Sequence, residues 1–383
     1  MTTRADYIML GGFLGAGKTT AILALADWLS ERKRTVGLIT NDQSVGLVDT
    51  AMLSAHGYPV EEITGGCFCC RFNSLMEASE KLTEDAKPEV FLAEPVGSCT
   101  DLRAAVSHPL RRLYGDDFRV APLSVLLDPI RAARIFGLEQ GAAFSPKVRY
   151  VYEKQLEEAE VIVINKQDLV DGDQLARLKA AIADRYPRAK VFVVSARDRA
   201  GLDEWFSYVL GGDAGEDPAP DIDYEEYAEG EALLGWYNGT ATLSVKAEAG
   251  DAGGDAGVDG NRFLTALAET LRGQLASKGI DIAHLKMTLS PTDFGSDIAV
   301  LNLVRTDGRA ELSHTLKDPV GVGELIVNLR AEGAPDVLRA AASEALTSVA
   351  REKNVDVSVD HEEAFRPGKP NPTYRMATAA ATV

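Results

Sequence analysis

Three of the four cysteines in this 383-residue chain fall within four positions, in the stretch GGCFCC from Gly65 to Cys70. Sulfurs so close together, on Cys67, Cys69 and Cys70, form a soft donor set suited to zinc and open to cobalt, nickel or copper(I), with a fourth ligand to come from elsewhere. Gly65 and Gly66 allow the tight backbone that such crowding needs. An incomplete shell suits transfer of an ion better than storage. Two other chemistries are open to the same thiols: a redox C-x-C or C-x-x-C pair, or small buried hydrophobes.

A second set of residues is arranged for phosphate. GFLGAGKT, Gly12 to Thr19, satisfies G-x-x-x-x-G-K-[ST] between a strand-like run and an amphipathic stretch. Backbone N–H groups from Gly12, Gly15, Ala16 and Gly17 through Thr20 would wrap the phosphates at a helix N-terminus, with Lys18 reaching the β and γ oxygens and Thr19 offering its hydroxyl to Mg²⁺. NKQD, Asn165 to Asp168, places a carboxylate that can accept from guanine N1 and N2, a donor pair adenine lacks. Asn165 would hold that loop, Lys166 would lay its stem along the base, and a backbone N–H of the SAR stretch at Ser195 and Ala196 would meet the base oxygen. Glu94, in AEPVG, and Asp42, in TND, sit where the γ-phosphate and its Mg²⁺ are expected; with Lys18 they form the candidate catalytic set. Their plainer readings are a strand-end charge and an Asx turn.

All of these groups follow short apolar runs. YIMLG, TVGLIT, EVFLAE, APLSVLLD, VIVIN and KVFVVS read as strands separated by helical patterns such as TTAILALADWLSERK, where Ile22, Leu25, Ala26 and Leu29 share a face. That alternation predicts an α/β domain over 1–212, a mostly parallel sheet with helices on both faces, whose carboxyl edge carries the ligand-binding groups. GGDAGEDPAPDID then breaks the periodicity, predicting a linker at 213–223. Residues 224–383 predict a smaller α+β domain close to a split βαβ layout, with helices near 261–278 and 335–353 and strands around 284–289, 297–304, 323–330 and 355–360. Asp251, Asp255 and Asp259 recur every four residues, a spacing wrong for an EF-hand, so that stretch reads as a solvated loop.

A formal charge of −18 and a pI near 4.8 argue against a nucleic-acid partner. No apolar run reaches the ~18 residues of a membrane span, so a soluble cytoplasmic protein is expected.

With GGFLGAGKTT, GGCFCC, EPVG and NKQD in this order, the chain resembles the CobW-type P-loop GTPases, relatives of the GTPases that assist nickel insertion into hydrogenase and urease. LGWYNGTATL and FRPGKPNPTYR resemble that family's C-terminal module. The resemblance implies a metallochaperone, with GTP and GDP as the switch, a C-x-C-C metal site, a client metalloenzyme or cofactor-assembly protein as partner, and GTP-dependent homodimers. NDQSV stands where many relatives carry a Glu-rich NEFGE-like stretch; Asp42 keeps one acid and Val45 removes the second. His108 lies where relatives supply an imidazole, although a lone histidine is more often structural, and Cys99 reads as a small buried residue whose nearness to Glu94 leaves a ligand role open. No arginine finger or catalytic Gln is identifiable, which implies slow intrinsic hydrolysis. Two rivals are a GTPase that gates cofactor loading of a client such as a corrinoid protein without carrying metal, and a P-loop kinase acting on a small molecule, which NKQD disfavours. His361 and Glu362, in DHEEAF, read as a solvated acidic end.

Overall fold

The computed structural model describes residues 4–42, 48, 50, 53, 56–215, 217–245, 257–292 and 297–378. Their contacts divide into two compact units: the described residues within 1–45, 56–231 and 368–383, and those within 46–55 and 232–367.

The first unit is built on a parallel sheet. Its strands are β1 (Ala5–Gly12), β2 (Val36–Asn41), β3 (Val60–Ile63), β4 (Val90–Glu94), β5 (Phe118–Val120), β6 (Ser124–Leu127), β7 (Val161–Ile164) and β8 (Lys190–Val193), in the order β3-β2-β4-β1-β6-β7-β8 with β5 also paired to β1. Every residue of β2, β4, β6 and β7 is buried. That is why these strands read as continuous apolar runs rather than alternating ones: helices cover both faces of a parallel sheet. The six runs legible in the sequence correspond to β1, β2, β4, β6, β7 and β8. The remaining strands, β3 and β5, are four and three residues long and carry charge in VEEI and FRV, so they lack an apolar signature. Helix Lys18–Glu31 buries Ile22, Leu25, Ala26 and Leu29 as the periodicity requires.

The order reverses at β1, whose neighbours β4 and β6 both follow it in sequence. The crevice beyond the carboxyl ends of these strands is where a doubly wound sheet receives its ligand.

The second unit is an antiparallel sheet of β9 (Leu234–Val245), β10 (Ile282–Pro291), β11 (Ala299–Leu303), β12 (Glu311–His314), β13 (Val322–Glu332) and β14 (Val355–Phe365), ordered β12-β11-β10-β13-β9-β14. Helices Gly260–Ser277 and Pro335–Glu352 connect β9 to β10 and β13 to β14, so β9, β10, β13 and β14 form two interleaved split βαβ units. Phe263, Leu264, Leu267, Leu271 and Leu275 line the buried face of the first helix against Leu285, Met287 and Leu329 of the sheet. Asp259 caps that helix, accepting from the Arg262 N–H at 3.0 Å. Asp251 and Asp255 lie outside the described residues. His361 and Glu362 are exposed on the edge strand β14.

The division between units differs from the linker read at 213–223. Residues 224–231 and 368–378 pack in the first unit. Tyr227 is fully buried there, its hydroxyl accepting from the Thr100 N–H at 3.2 Å, and the Ser98 hydroxyl donates to Glu231 at 2.6 Å. Among the described residues, no helix is long and apolar enough to cross a membrane.

Candidate functional site

Beyond β1 the chain turns through Gly15 and Gly17 into helix Lys18–Glu31. Gly17 takes φ +92°, and a Cβ there would stand 2.4 Å from the Asn165 side-chain nitrogen. Only glycine fits. The same Asn165 nitrogen donates to the Ala16 carbonyl at 2.9 Å, while its Oδ1 accepts from the Ala196 N–H at 2.9 Å. Asn165 therefore joins three loops: the phosphate loop, its own after β7, and the one after β8. Lys166 adopts a left-handed backbone, φ +55°, and its ammonium reaches the Gly15 carbonyl at 2.7 Å and Asp128 at 3.0 Å. Asp128, buried at the end of β6, caps helix Pro129–Ile135 by accepting from the Ile130 and Arg131 N–H groups. Asp128 was missed in the sequence, although it ends the run APLSVLLD. Asp168 is exposed and pairs with Arg197 at 2.6 Å; the Ser195 hydroxyl donates to Asp198 at 3.1 Å.

Lys18 and Thr19 are buried, while Thr20 is exposed on the first helical turn. The Lys18 ammonium donates to the Gly12 carbonyl at 3.0 Å and stands 3.9 Å from Glu94. The Thr19 hydroxyl donates to Glu94 at 3.1 Å. Glu94, at the end of β4, thus lies beside the phosphate loop, and an oxygen-only pair from Thr19 and Glu94 suits a hard cation such as Mg²⁺. Asp42 follows β2, and its N–H donates to the Ile63 carbonyl at 3.1 Å. Val45 lies outside the described residues.

The cysteine loop follows β3. Gly66 takes φ +151°, and the backbone then folds so that the sulfurs of Cys67, Cys69 and Cys70 converge, at 2.7 Å (Cys67 to Cys69), 3.4 Å (Cys67 to Cys70) and 3.6 Å (Cys69 to Cys70). Cys99, five residues beyond Glu94 after β4, brings its sulfur to the same place: Cys67, Cys69 and Cys99 are buried with their sulfurs all within 4.8 Å of one another. All four cysteines are free thiols, and Cys70 alone is partly exposed. Hydrogen bonding with the neighbouring sulfurs of Cys69, Cys70 and Cys99, in that order of weight, holds Cys67 well below the usual thiol range. Each neighbour is raised in return: Cys69 by its bond to Cys67, Cys70 to about 11 chiefly by Cys67, and Cys99 chiefly by burial. Four hydrogen-bonded cysteine sulfurs so close together form a donor set that a soft cation would complete by displacing the remaining protons. Around a tetrahedral zinc with Zn–S of ~2.3 Å, sulfurs lie about 3.8 Å apart, so Cys67 and Cys69 would separate by roughly 1 Å on binding.

His108 is not in this group. Buried at the start of helix His108–Leu113, its Nδ1 lies 2.8 Å from the Met376 carbonyl, and burial holds its pKa below the ordinary value.

The end of β2 and the cysteine turn are physically joined. Asn41, buried at the end of β2, donates from its side-chain nitrogen to the Ile63 carbonyl at 3.0 Å and to the Gly66 carbonyl at 2.7 Å. One amide therefore ties the strand end that carries Asp42 to the turn that presents the cysteines. On the other side, Glu94 and Cys99 share the loop after β4.

The sheet order and the glycine loop from Gly12 to Thr19 are those of a P-loop nucleotide-binding domain. Residues 6–193 match the family described as CobW/HypB/UreG, nucleotide-binding domain. Among curated proteins, the zinc chaperone YeiR of Escherichia coli (strain K12) is 32% identical over 173 residues, covering 43% of this chain and 47% of that protein. The zinc chaperone CobW of Sinorhizobium sp is 26% identical over 204 residues, covering 48% and 57%. The chain spans about half the length of the curated relatives it matches. Among solved structures, the Zn(II)-bound YjiA GTPase from E. coli aligns over 90% of this chain and 99% of its own at 15% identity, with a TM-score of 0.37, too loose a superposition to bear on the site.

Proposed function

We propose that this protein is a GTP-binding and GTP-hydrolysing metallochaperone that carries a transition metal, zinc in the first place with cobalt or nickel as alternatives, and couples its release to the nucleotide. The observation that carries the reading is the convergence of four thiols from the loops after β3 and β4, where Glu94 ends β4 and Asn41, at the end of β2, donates to Gly66 in the cysteine turn. The naming of two relatives as zinc chaperones supports it.

In this reading Gly12 to Thr20 cradle the phosphates, and Lys18 exchanges the Gly12 carbonyl for the β and γ oxygens. Thr19, Asp42 and Glu94 would hold Mg²⁺, which would supply charge neutralisation at those oxygens. Asp168 accepts from guanine, Lys166 supports the base, and the Ser195–Ala196 backbone meets its oxygen. Asp42 and Glu94 orient the attacking water. Bound GTP orders the segment around Asp42 and hydrolysis releases it, Asn41 transmits that change to Gly66, and the sulfurs of Cys67, Cys69, Cys70 and Cys99 tighten or loosen on their cargo; order set by a γ-phosphate is a recurring switch. Hydrolysis is slow until a client metalloenzyme or a second copy docks, in the cytoplasm.

The test is zinc titration of the reduced chain against a chromophoric competitor, together with GTP turnover. One zinc per chain, lost in the double variant Cys67→Ser, Cys69→Ser, is the expected result. Turnover of GTP with no zinc bound in any nucleotide state would instead favour a GTPase that gates cofactor loading, with the close Cys67 and Cys69 sulfurs serving redox chemistry.

A further inference from the structure

The far C-terminal segment belongs to the first unit and runs over the cysteine loop. Asn371 donates its N–H to the Cys70 sulfur at 3.2 Å. Two residues on, the Thr373 N–H donates to the Cys69 carbonyl at 2.8 Å and its hydroxyl to the Cys70 carbonyl at 3.1 Å. Pro370 and Pro372 lack backbone donors, so the N–H offered to sulfur is the only one in that tripeptide. Tyr374 packs edge-on against Phe72, the first residue of the helix after the cysteines, with ring centroids 5.2 Å apart.

Beyond Tyr374 the segment is anchored. Arg375 donates to Asp101 at 2.8 Å and to the Pro220 carbonyl at 3.3 Å. Asp101 is buried in a left-handed conformation, φ +66°, unusual outside glycine, and also accepts from the Tyr224 hydroxyl at 2.6 Å. A strained, buried carboxylate two residues beyond Cys99 is thus held by one cation from the tail. The Met376 N–H donates to the Ala104 carbonyl, and the Ala377 carbonyl accepts from the Ala219 N–H.

We propose that residues 369–377 are a latch over the cysteine pocket, and that Arg375, through its ion pair with Asp101, is the positioning residue that keeps it closed. Cys67, Cys69 and Cys99 are buried, so the way in passes Cys70, the thiol the latch touches. Opening the latch removes the N–H from the Cys70 sulfur and both bonds to the loop that aims the thiols. The latch's role in cargo release rests on the zinc reading above; its existence does not.

The experiment uses the full chain with Arg375→Ala, Arg375→Lys and Thr373→Val. The rate of Cys70 alkylation by iodoacetamide, located by mass spectrometry, is measured on reduced, zinc-free protein, and zinc transfer to a chelator on zinc-loaded protein. Arg375→Ala is expected to speed both about tenfold or more, with smaller rises for Arg375→Lys, which keeps the charge, and Thr373→Val, which leaves the Asp101 anchor intact. Cys70 alkylation within twofold of the parent rate in Arg375→Ala and Thr373→Val overturns the latch. A chain that takes up no zinc defeats the metallochaperone reading, while the alkylation rates still decide the latch.

Discussion

Asn41→Ala is the sharpest perturbation of the proposed coupling, because it removes the amide between the nucleotide edge and the cysteine turn and touches neither ligand set. The Asn41 side-chain nitrogen makes two hydrogen bonds, to Ile63 and Gly66. At roughly 0.5–1.5 kcal/mol net for each such bond, about 2 kcal/mol of state-dependent interaction can pass through this residue. That corresponds to a coupling factor of about 30, inside the ~5–150-fold range of known allosteric couplings. By linkage, zinc must change the affinity for a GTP analogue by the same factor that the analogue changes the affinity for zinc. The assay is calorimetric titration of a non-hydrolysable GTP analogue into reduced protein with and without one equivalent of zinc. In the parent chain the two dissociation constants should differ by up to about 30-fold; in Asn41→Ala the ratio should fall to within about threefold of unity, with zinc-free nucleotide affinity nearly unchanged. A variant that keeps the parent ratio would refute the route through Asn41.

Other substitutions probe the remaining parts. Cys99→Ser should weaken zinc by at least the roughly 10–100-fold seen when even an outer-shell partner is lost, and should lower the sulfur-to-cobalt charge-transfer band of the cobalt-loaded chain, whereas an unchanged band would leave Cys99 outside the shell. Asp168→Ala removes an acceptor for two charge-assisted bonds worth ~1.5–3 kcal/mol each, so GTP affinity should fall about 100-fold or more while ATP affinity stays put; an equal loss for both nucleotides would argue against guanine recognition there. Burial raises Glu158 to about 8 from 4.5 even though it accepts from the Arg103 N–H and the Thr100 hydroxyl, with Asp101 nearby raising it further. Between those two values the unfolded chain has lost this proton and the native chain keeps it, so stability should fall as pH rises from about 5 to 8. Denaturant unfolding of Glu158→Gln should lack that part of the slope, and an identical slope would contradict the assignment.

What the sequence discloses and what it hides follow from the range of the forces involved. β2, β4, β6 and β7 are buried throughout and therefore announce themselves as apolar runs, and the phosphate loop does so because glycine, lysine and threonine spacing there is set by local backbone geometry. Charged β3 and three-residue β5 exist through pairing with β2 and β1, which no local pattern encodes. The C-x-C-C motif is local; the approach of Cys99 to it is not, since it depends on β3 and β4 both flanking β2. His108 is a candidate ligand by the resemblance alone; its place is set by a helix start and by the Met376 carbonyl, some 268 residues away in sequence. Asn41, Asp128 and Arg375 act through a few hydrogen bonds to residues distant in sequence, which leave no periodicity to read. The unit boundary hid for a related reason: Tyr227 and Glu231 belong to the first unit through partners at Thr100 and Ser98.

The most direct test of the account is the zinc affinity of the reduced chain in three states: nucleotide-free, with GDP and Mg²⁺, and with a non-hydrolysable GTP analogue and Mg²⁺. The account predicts one zinc per chain, with an affinity that differs between the GDP and GTP-analogue states by a factor of about 5 or more. Equal zinc affinity in all three states would contradict it, because four thiols indifferent to the nucleotide would hold metal without being switched.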